Sequence, residues 1–194
     1  MKILVTGSEG FIAKNLIEHL IRDENIKLYL YSKKDSKIIL EAYLKEVDFI
    51  FHLAGVNRPE RINEFYEGNA SFTKNIIDIL IKNNKKTPIL LSSSTQVILD
   101  NDYGRSKLEA ENILLDYSKK MNVNIYIYRL PNVFGKWCKP NYNSVLATWC
   151  YNIANDLEIQ VNNKETKLSL VYVDDVIKSF INKLNTKETK DILI

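Results

Sequence analysis

The chain has 194 residues, of which 45% are hydrophobic and 26% charged, and its formal net charge is only +3. This composition is ordinary for a globular protein with one good-sized core, and charges of both signs are spread along the sequence, which disfavours nucleic acid and membrane surfaces as partners. Cys138 and Cys150 lack metal-ligand spacing, and the sequence shows no recognisable signal peptide or membrane-spanning segment. We therefore expect a cytoplasmic protein with one main domain.

Short apolar runs alternate with longer amphipathic stretches, which is typical of strand-helix-strand units around a buried parallel sheet. Strands are predicted at residues 2–5, 28–31, 49–53, 89–92, 124–128 and 168–172, with another beginning at 192–194. Helices are predicted at residues 11–22, 39–45, 69–83, 103–122 and about 176–184. The predicted fold class is α/β, a Rossmann-type doubly wound parallel sheet flanked by helices. Because little chain separates the second strand from residue 49, we expect one peripheral element to be absent or reduced.

A glycine-containing turn separates the first predicted strand from the first predicted helix. Gly7 permits a tight turn, Gly10 lets the backbone approach phosphates, and the small Ala13 lets the helix pack on the strand. The helix start at Phe11 and Ile12 adds free N–H groups and a favourable dipole. Glycine pairs alone are common in turns, but this position directly after a leading strand favours the diphosphate site of a dinucleotide.

The end of the second predicted strand bears on which dinucleotide is bound. An acidic residue there would hydrogen-bond a ribose 2′-hydroxyl and repel a 2′-phosphate. The sequence instead has Ser32, Lys33 and Lys34, with no acid before Asp35. Hydroxyl and ammonium groups suit a phosphate, so we expect NADPH rather than NADH, with Ser32 and Lys33 as ligands. An exposed basic turn is the competing interpretation.

Tyr103 and Lys107 are four positions apart on a predicted helix and so share one face. A phenol with an ordinary pKa near 10 is a poor proton shuttle at neutral pH, and an ammonium one turn away would lower that pKa. Ser94, at the end of the preceding strand, is placed to donate a hydrogen bond to a substrate carbonyl, with Ser93 as the alternative. An ordinary exposed helical pair is the competing interpretation of Tyr103 and Lys107.

Further motifs make the chain similar to the extended short-chain dehydrogenase/reductases that act on nucleotide sugars. The matching segments are TGSEGFIA at 6–13, HLAG at 52–55, Asn69 ahead of its helix, SSS at 92–94, the pair Tyr103 and Lys107, RLPNVFG at 129–135 and VDD at 173–175. The resemblance covers essentially the whole chain. It implies a nicotinamide dinucleotide cofactor, a nucleotide-sugar substrate and a homodimer, because the helix that carries Tyr103 is a common dimer surface in that family.

Two segments narrow the resemblance. GVNRPE at 55–60 and FGKWCKPNYNS at 134–144 are similar to the capsule-biosynthesis reductases called CapF-like. That family uses NADPH to reduce the 4-keto group of a UDP-2-acetamido-2,6-dideoxy-hexos-4-ulose to the L-talose sugar, a precursor of UDP-N-acetyl-L-fucosamine for capsular or O-antigen polysaccharide. The resemblance therefore implies an NADPH-dependent 4-ketoreductase whose substrate is a UDP-sugar.

The resemblance also implies roles for individual residues. Tyr103 would protonate the sugar oxygen, Lys107 would lower the pKa of Tyr103 and hold the ribose, and Ser94 would polarise the ketone. Close to the dinucleotide it places Leu53, Ala54, Gly55, Pro131, Asn132 and Val133. As contacts of the UDP-sugar it suggests Arg58, Lys136, Lys139 and Asn143, for which loop solubility is the competing interpretation. No catalytic role is assigned to His52, Trp137, Trp149 or Arg129.

Members of the resembling family are longer than this chain. They complete a substrate-binding lobe, and the CapF-like members add a metal-binding cupin domain, so we expect an NADP-binding Rossmann domain at 1–135 and a partial, truncated substrate-binding lobe with the remaining Rossmann elements at 136–194. We expect no metal site, because His19 and His52 are the only histidines. Two alternatives remain open: an epimerase or dehydratase that retains NAD, and a non-catalytic dinucleotide-binding domain or inactive fragment.

Overall fold

Strands alternate with helices along the chain in the computed structural model, which describes residues 1–161, 163, 165–186 and 191–193. The strands are β1 (Lys2–Thr6), β2 (Lys27–Tyr31), β3 (Phe49–His52), β4 (Ile89–Ser94), β5 (Ile125–Leu130), β6 (Asn132–Phe134), β7 (Leu170–Tyr172) and β8 (Asp191–Leu193). The helices are α1 (Phe11–Leu20), α2 (Lys37–Glu46), α3 (Asn63–Tyr66), α4 (Phe72–Lys82), α5 (Asp102–Met121), α6 (Val145–Ala154) and α7 (Val173–Asn182). A π-helical turn (Glu67–Ser71) joins α3 to α4, and a 3-10 turn (Thr95–Ile98) follows β4.

Six strands form one sheet in the order β2-β1-β3-β4-β5-β8, and every neighbouring pair is parallel. This arrangement confirms the predicted doubly wound sheet. Strand β2 lies at one edge, so the third strand that such sheets often carry beyond it is absent from the described sheet, as the short connection to residue 49 predicted. Strand β8 begins at Asp191; Ile194, which the sequence assigned to that strand, lies outside the described residues.

The direction in which the sheet is wound reverses between β1 and β3. Strand β1 pairs with β2 on one side and with β3 on the other, so that Thr6 lies opposite both Tyr31 and His52. In open parallel sheets this reversal leaves a crevice at the carboxyl ends of the two central strands, where ligands bind. The fold therefore places the candidate site beyond Thr6 and His52.

Two apolar layers bury the sheet on both faces. Helices α2, α4 and α5 cover one face with Leu40, Leu44, Ile76, Leu80 and Leu114, and α1 and α7 cover the other with Leu16, Leu20, Ile177 and Phe180. Strand β1 contributes Leu4 to the first layer and Ile3 and Val5 to the second. Burial on both faces explains why the strands read as continuous apolar runs rather than as alternating patterns.

His52 joins β1, β3 and α4 below the crevice. The Thr73 hydroxyl donates a hydrogen bond to the Asn69 carbonyl (2.6 Å), so it accepts a hydrogen bond from the N–H of His52 Nε2 (2.9 Å). Nδ1 then accepts from the Thr6 hydroxyl (2.7 Å), which in turn accepts the Ala54 N–H (3.3 Å). Burial, with a smaller effect from Lys107, lowers the pKa of His52 to about 3, so the ring is neutral. His52 is therefore a structural residue, as the sequence suggested.

The sequence did not predict α3, β6 or α6. Strand β6 is short and pairs with β7 in a separate two-stranded parallel sheet. Helix α6 is apolar on most sides and has no buried residue, so it lacks the polar face that makes an amphipathic helix recognisable. The predicted helix at 69–83 begins earlier than expected, because α3 and the π-helical turn precede α4 without a break.

Candidate active site

The turn after β1 presents backbone N–H groups at the crevice. Gly7 has a φ of +68°, and a Cβ there would lie 2.7 Å from backbone atoms of Ala54, so a larger residue would displace the neighbouring loop. The Gly10 N–H donates to the Gly7 carbonyl (2.8 Å), and α1 begins directly after it. The N–H groups of the first helical residues, Phe11 and Ile12, have no acceptor within the helix and are available to an anion.

The loop after β3 is fixed by Asn69 from the π-helical turn. The Asn69 side chain accepts the Val56 N–H (2.9 Å) and donates to the Val56 carbonyl (3.0 Å) and to the Ser106 hydroxyl (2.9 Å). The Ser106 hydroxyl in turn donates a hydrogen bond to the Tyr103 carbonyl (2.8 Å). A Cβ on Gly55 would lie 2.9 Å from Asn69 Oδ1. One buried amide thus holds the loop of the predicted dinucleotide contacts against the helix that carries Tyr103.

Helix α5 is bonded to the end of β4 through its predicted catalytic residues. The Ser94 hydroxyl lies near the Tyr103 phenol, on whose pKa it acts as a hydrogen-bonding neighbour. The Lys107 ammonium donates to the Ser92 carbonyl (2.6 Å), and Ser94 Oγ accepts the Gln96 N–H (3.1 Å). The structure therefore brings Ser94, Tyr103 and Lys107 together at one end of β4.

A buried ion pair that the sequence analysis did not identify lies beneath these residues. Glu111 is 1% exposed and accepts hydrogen bonds from Arg129 Nη2 (2.6 Å) and from the Ser93 hydroxyl (2.5 Å). Because the Ser93 hydroxyl is committed to Glu111, the geometry favours Ser94 over Ser93 as the group that faces a substrate. The spacing of Tyr103, Lys107 and Glu111, four residues each, was the signal available in the sequence.

The pKa of Tyr103 is shifted in the direction opposite to the one expected. Burial raises the pKa of Tyr103 above its ordinary value, and the hydrogen bond with Ser94 lowers it by less. The expectation that Lys107 lowers this pKa is therefore wrong for the arrangement described, in which the ammonium is bonded to Ser92 instead. At neutral pH the phenol keeps its proton and is suited to donate it.

Lys107 is almost completely buried, with 5% of its surface exposed. Burial lowers the pKa of Lys107 to about 8, and the Glu111 carboxylate one helical turn away opposes that shift. A Cβ on Gly55 would lie 3.6 Å from the Lys107 Nζ, so the ammonium lies beside the loop after β3. The Lys107 ammonium thus lies between the Ser92 carbonyl at the end of β4 and the predicted dinucleotide loop.

The first turn of α5 is positioned by close backbone contact. A Cβ on Gly104 would lie 2.3 Å from the Gln96 carbonyl oxygen, so only glycine allows the helix to approach the 3-10 turn this closely. The Asn101 side chain caps the helix by accepting the Gly104 N–H (2.7 Å). The ring of Phe65 from α3 lies 5.7 Å from the ring of Tyr103. Neither Gly104 nor Phe65 was singled out from the sequence.

The segment after β2 holds charges of both signs. Ser32 donates through its N–H (2.7 Å) and its hydroxyl (2.9 Å) to the Asp35 carboxylate, and Lys34 pairs with Glu9 of the glycine turn (2.6 Å). Lys33 is exposed. The expected phosphate ligands are therefore present at the end of β2, but an acid is folded back beside them.

The residues expected to contact a UDP-sugar fall into two places. The Arg58 guanidinium lies 5.4 Å from the centroid of the Tyr142 ring, and the Tyr142 hydroxyl donates to the Asn57 side chain (3.0 Å), so the loop after β3 meets the loop that carries Asn143 and Lys139. Asn143 and Lys139 are exposed on that loop. Lys136 instead lies next to α1, and Asn132 and Val133 belong to β6, directly after Pro131.

Comparison with known proteins gives a family match over nearly the whole chain. The NAD dependent epimerase/dehydratase family matches residues 3–193. The chain is 44% identical over 187 residues to UDP-2-acetamido-2,6-beta-L-arabino-hexul-4-ose reductase of Pseudomonas aeruginosa, covering 96% of this chain and 50% of that protein. It is 28% identical to D-erythronate dehydrogenase of Haemophilus influenzae, covering 73% of this chain and 58% of that protein. The chain thus spans about half the length of these curated relatives.

Solved structures agree with this match. The capsular polysaccharide assembling protein CapF from Staphylococcus aureus superposes with a TM-score of 0.86 at 46% identity, over 98% of this chain and 52% of that one. UDP-glucuronic acid 4-epimerase from Bacillus cereus, in complex with UDP-glucuronic acid and NAD, gives a TM-score of 0.87 at 19% identity, over 100% of this chain and 76% of that one. The second likeness concerns the fold alone.

Within the ranges that the structure describes, His, Cys, Asp and Glu side chains form no group of three or more that could hold a metal ion. None of the described helices combines the length and the apolar character needed to cross a membrane.

Burial of Lys107 makes the stability of the protein depend on pH. Because its pKa is about 8 in the folded chain and 10.5 ordinarily, the unfolded chain holds more protons between these values, so the free energy of unfolding contributed by Lys107 rises as pH rises through this window. Relative to a Lys107→Met variant, the wild type should gain at most about 3 kcal/mol between pH 7 and pH 10. Urea unfolding of both proteins at the two pH values measures this difference, and an unchanged difference would contradict the burial of a titrating ammonium.

Proposed function

The chain belongs to the NAD dependent epimerase/dehydratase family, and on that premise we propose that it is the dinucleotide-binding and catalytic part of a reductase acting on a UDP-linked 4-keto sugar. The observation that carries the proposal is the placement of Tyr103, Ser94 and Lys107 together at the end of β4, with Lys107 bonded to the Ser92 carbonyl. The likeness to a reductase of Pseudomonas aeruginosa that acts on such a sugar supports it.

The residues around the crevice fit a nicotinamide dinucleotide. Gly7 and Gly10 leave space for a diphosphate at the start of α1, where the N–H groups of Phe11 and Ile12 would bind it. Leu53, Ala54 and Gly55 would follow the dinucleotide along the loop after β3, and Pro131, Asn132 and Val133 would contact the nicotinamide. When bound, the dinucleotide supplies the hydride for the substrate carbon.

Proton transfer to the substrate oxygen is assigned to Tyr103. The phenol is protonated at neutral pH because burial raises its pKa, which suits reduction, since the carbonyl oxygen must gain a proton as the carbon is reduced. Ser94 would donate a hydrogen bond to the same oxygen and fix its direction. Lys107 lies beside the loop after β3, where its ammonium would bind the ribose of the dinucleotide.

The specific substrate proposed is a UDP-2-acetamido-2,6-dideoxy-hexos-4-ulose, on the route to UDP-L-FucNAc for capsular polysaccharide. The printed names of the Pseudomonas aeruginosa reductase and of CapF support this class. Arg58 meets the loop that carries Tyr142 and Asn143, and a cation beside exposed amides suits a UDP-sugar. Lys139 is assigned to the same surface.

NADPH is the proposed dinucleotide. Lys33 and Lys34 follow the strand that approaches the adenosine ribose in this fold, and their charge favours a 2′-phosphate. The Asp35 carboxylate accepts a hydrogen bond from the Ser32 hydroxyl, and an acid at this position favours the alternative, an epimerase or dehydratase that retains NAD. The two proposed activities differ in whether NADPH is consumed.

Removing the Tyr103 hydroxyl should slow reduction strongly and leave dinucleotide binding nearly unchanged. We expect Tyr103→Phe to lower kcat by roughly 10²-fold to 10⁴-fold and Ser94→Ala to lower it less, with the Kd for NADPH nearly unchanged. Oxidation of NADPH in the presence of the UDP-4-keto sugar measures the rate. Tyr117→Phe is the matched control, because it removes a phenol hydroxyl from the same helix whose partners are the Lys85 and Thr87 carbonyls. Full activity of Tyr103→Phe would refute the assignment, and NADPH binding without any oxidation by the wild type would favour a non-catalytic domain.

Removing single charges after β2 tests which dinucleotide the protein prefers. We expect Lys33→Met to weaken NADPH roughly tenfold and leave NADH unchanged, because only NADPH carries the 2′-phosphate. Asp35→Asn should strengthen NADPH selectively, since it removes the acid beside that phosphate. Calorimetric titration measures the affinities of NADPH and NADH for the wild type and both variants, with Lys37→Met as a control on the exposed start of α2. Tighter binding of NADH than NADPH by the wild type would contradict the proposal and support the NAD-retaining alternative.

A further inference from the structure

The turn after β6 is tied to the first turn of α1 by one buried side chain. Asn15 is 3% exposed, and its Nδ2 donates both to the Phe11 carbonyl (2.9 Å) and to the Lys136 carbonyl (2.9 Å). Because both oxygens bond the same nitrogen, they lie within about 6 Å of each other. The backbone of Lys136 is therefore a neighbour of the first helical residue after Gly10.

The same turn is fixed on its other sides. Gly135 has a φ of +137°, and a Cβ there would lie 2.6 Å from a methyl group of Val173 at the start of α7. Trp137 has a φ of +67°, a conformation that bulky residues rarely adopt, and the Cys138 N–H closes the turn on the Gly135 carbonyl (3.1 Å). A strained backbone persists where its surroundings hold it, which here are α1 and α7.

The Lys136 side chain rests on the neighbouring indole. Its ammonium lies 3.9 Å from the centroid of the Trp137 ring, and Trp137 as a residue is 41% exposed. Trp137 is therefore not a residue of the buried core. The acid of the glycine turn, Glu9, is already paired with Lys34. Because the Lys136 backbone lies beside the first turn of α1, a diphosphate bound at the start of α1 would be a suitable anion for the Lys136 ammonium.

We propose that Lys136, seated on Trp137 and held against α1 by Asn15, binds the diphosphate of the dinucleotide rather than the UDP-sugar. This inference rests on the proposed dinucleotide site and reassigns a residue that the sequence placed with the substrate. The positive charge would complement the N–H groups of α1 from the side opposite the sheet loop. Because the diphosphate is common to NADH and NADPH, the contribution of Lys136 is independent of the 2′-phosphate.

Ligands that differ by one group separate the possible roles of Lys136. Lys136→Met retains the apolar stem over the indole and removes the charge. We expect it to weaken NADPH, NADH and ADP-ribose by a similar factor, roughly tenfold each, because a charged hydrogen bond to a phosphate is lost. AMP, which has no diphosphate, and UDP, which occupies the sugar-nucleotide site, should bind with unchanged affinity. Lys139→Met, on the same loop, is the matched control and should change none of the dinucleotide affinities.

These calorimetric titrations decide whether Lys136 binds the dinucleotide diphosphate, the UDP-sugar or neither. Weaker UDP binding with unchanged ADP-ribose would return Lys136 to the UDP-sugar site and overturn the proposal. Unchanged affinities for every ligand would show a solvated lysine and would overturn it as well. If the wild type and Lys136→Met bind NADPH equally well, the role proposed for Lys136 is overturned and the proposed function stands. If the wild type binds no dinucleotide, the role of Lys136 and the proposed function are both overturned. Trp137→Leu should reproduce a smaller loss on the same three ligands.

Discussion

The polar groups of α5 must find partners at the end of β4, and this requirement shapes the site. Unpaired polar groups buried at a helix-sheet contact are costly, so each of three consecutive serines is matched to one helical side chain. The Ser92 carbonyl receives Lys107, the Ser93 hydroxyl binds Glu111, and the Ser94 hydroxyl meets Tyr103. The bidentate pairing of Arg129 with Glu111 completes the arrangement from β5. The register between helix and strand is thereby fixed, and with it the position of the phenol.

A second set of hydrogen bonds extends this constraint to the dinucleotide turn. His52 bridges the Thr6 hydroxyl at the end of β1 and the Thr73 hydroxyl of α4, and Thr73 continues to the Asn69 carbonyl. The Asn69 amide then reaches Ser106 on α5. Because His52 is neutral, each hydrogen bond of this series joins one donor to one acceptor. The glycine turn and the proton donor are therefore held in one rigid frame, as hydride and proton transfer to adjacent atoms would require.

Those parts of the molecule that depend on local pattern were predictable from the sequence. The glycine turn, the parallel sheet and the Tyr103 and Lys107 pair all follow from spacing, and the structure confirms the sheet. The pKa of Tyr103 was predicted in the wrong direction, because the outcome depends on burial and on the partner that Lys107 chooses, which spacing does not encode. The position of Lys136 depends on Asn15, 121 residues away in sequence. Helix α6 was missed because its apolar residues surround the helix.

Transfer of deuterium from the dinucleotide to the sugar tests the central claim most directly. The chain would be incubated with the UDP-4-keto sugar and with NADPH labelled at C4 of the nicotinamide, on each face in turn, and the product examined by mass spectrometry. The account predicts that one of the two labels appears at C4 of the reduced sugar, with one deuterium for each NADP⁺ formed. A product that carries no deuterium from either label, with NADPH unconsumed, would contradict a reductase and indicate chemistry that returns its hydride.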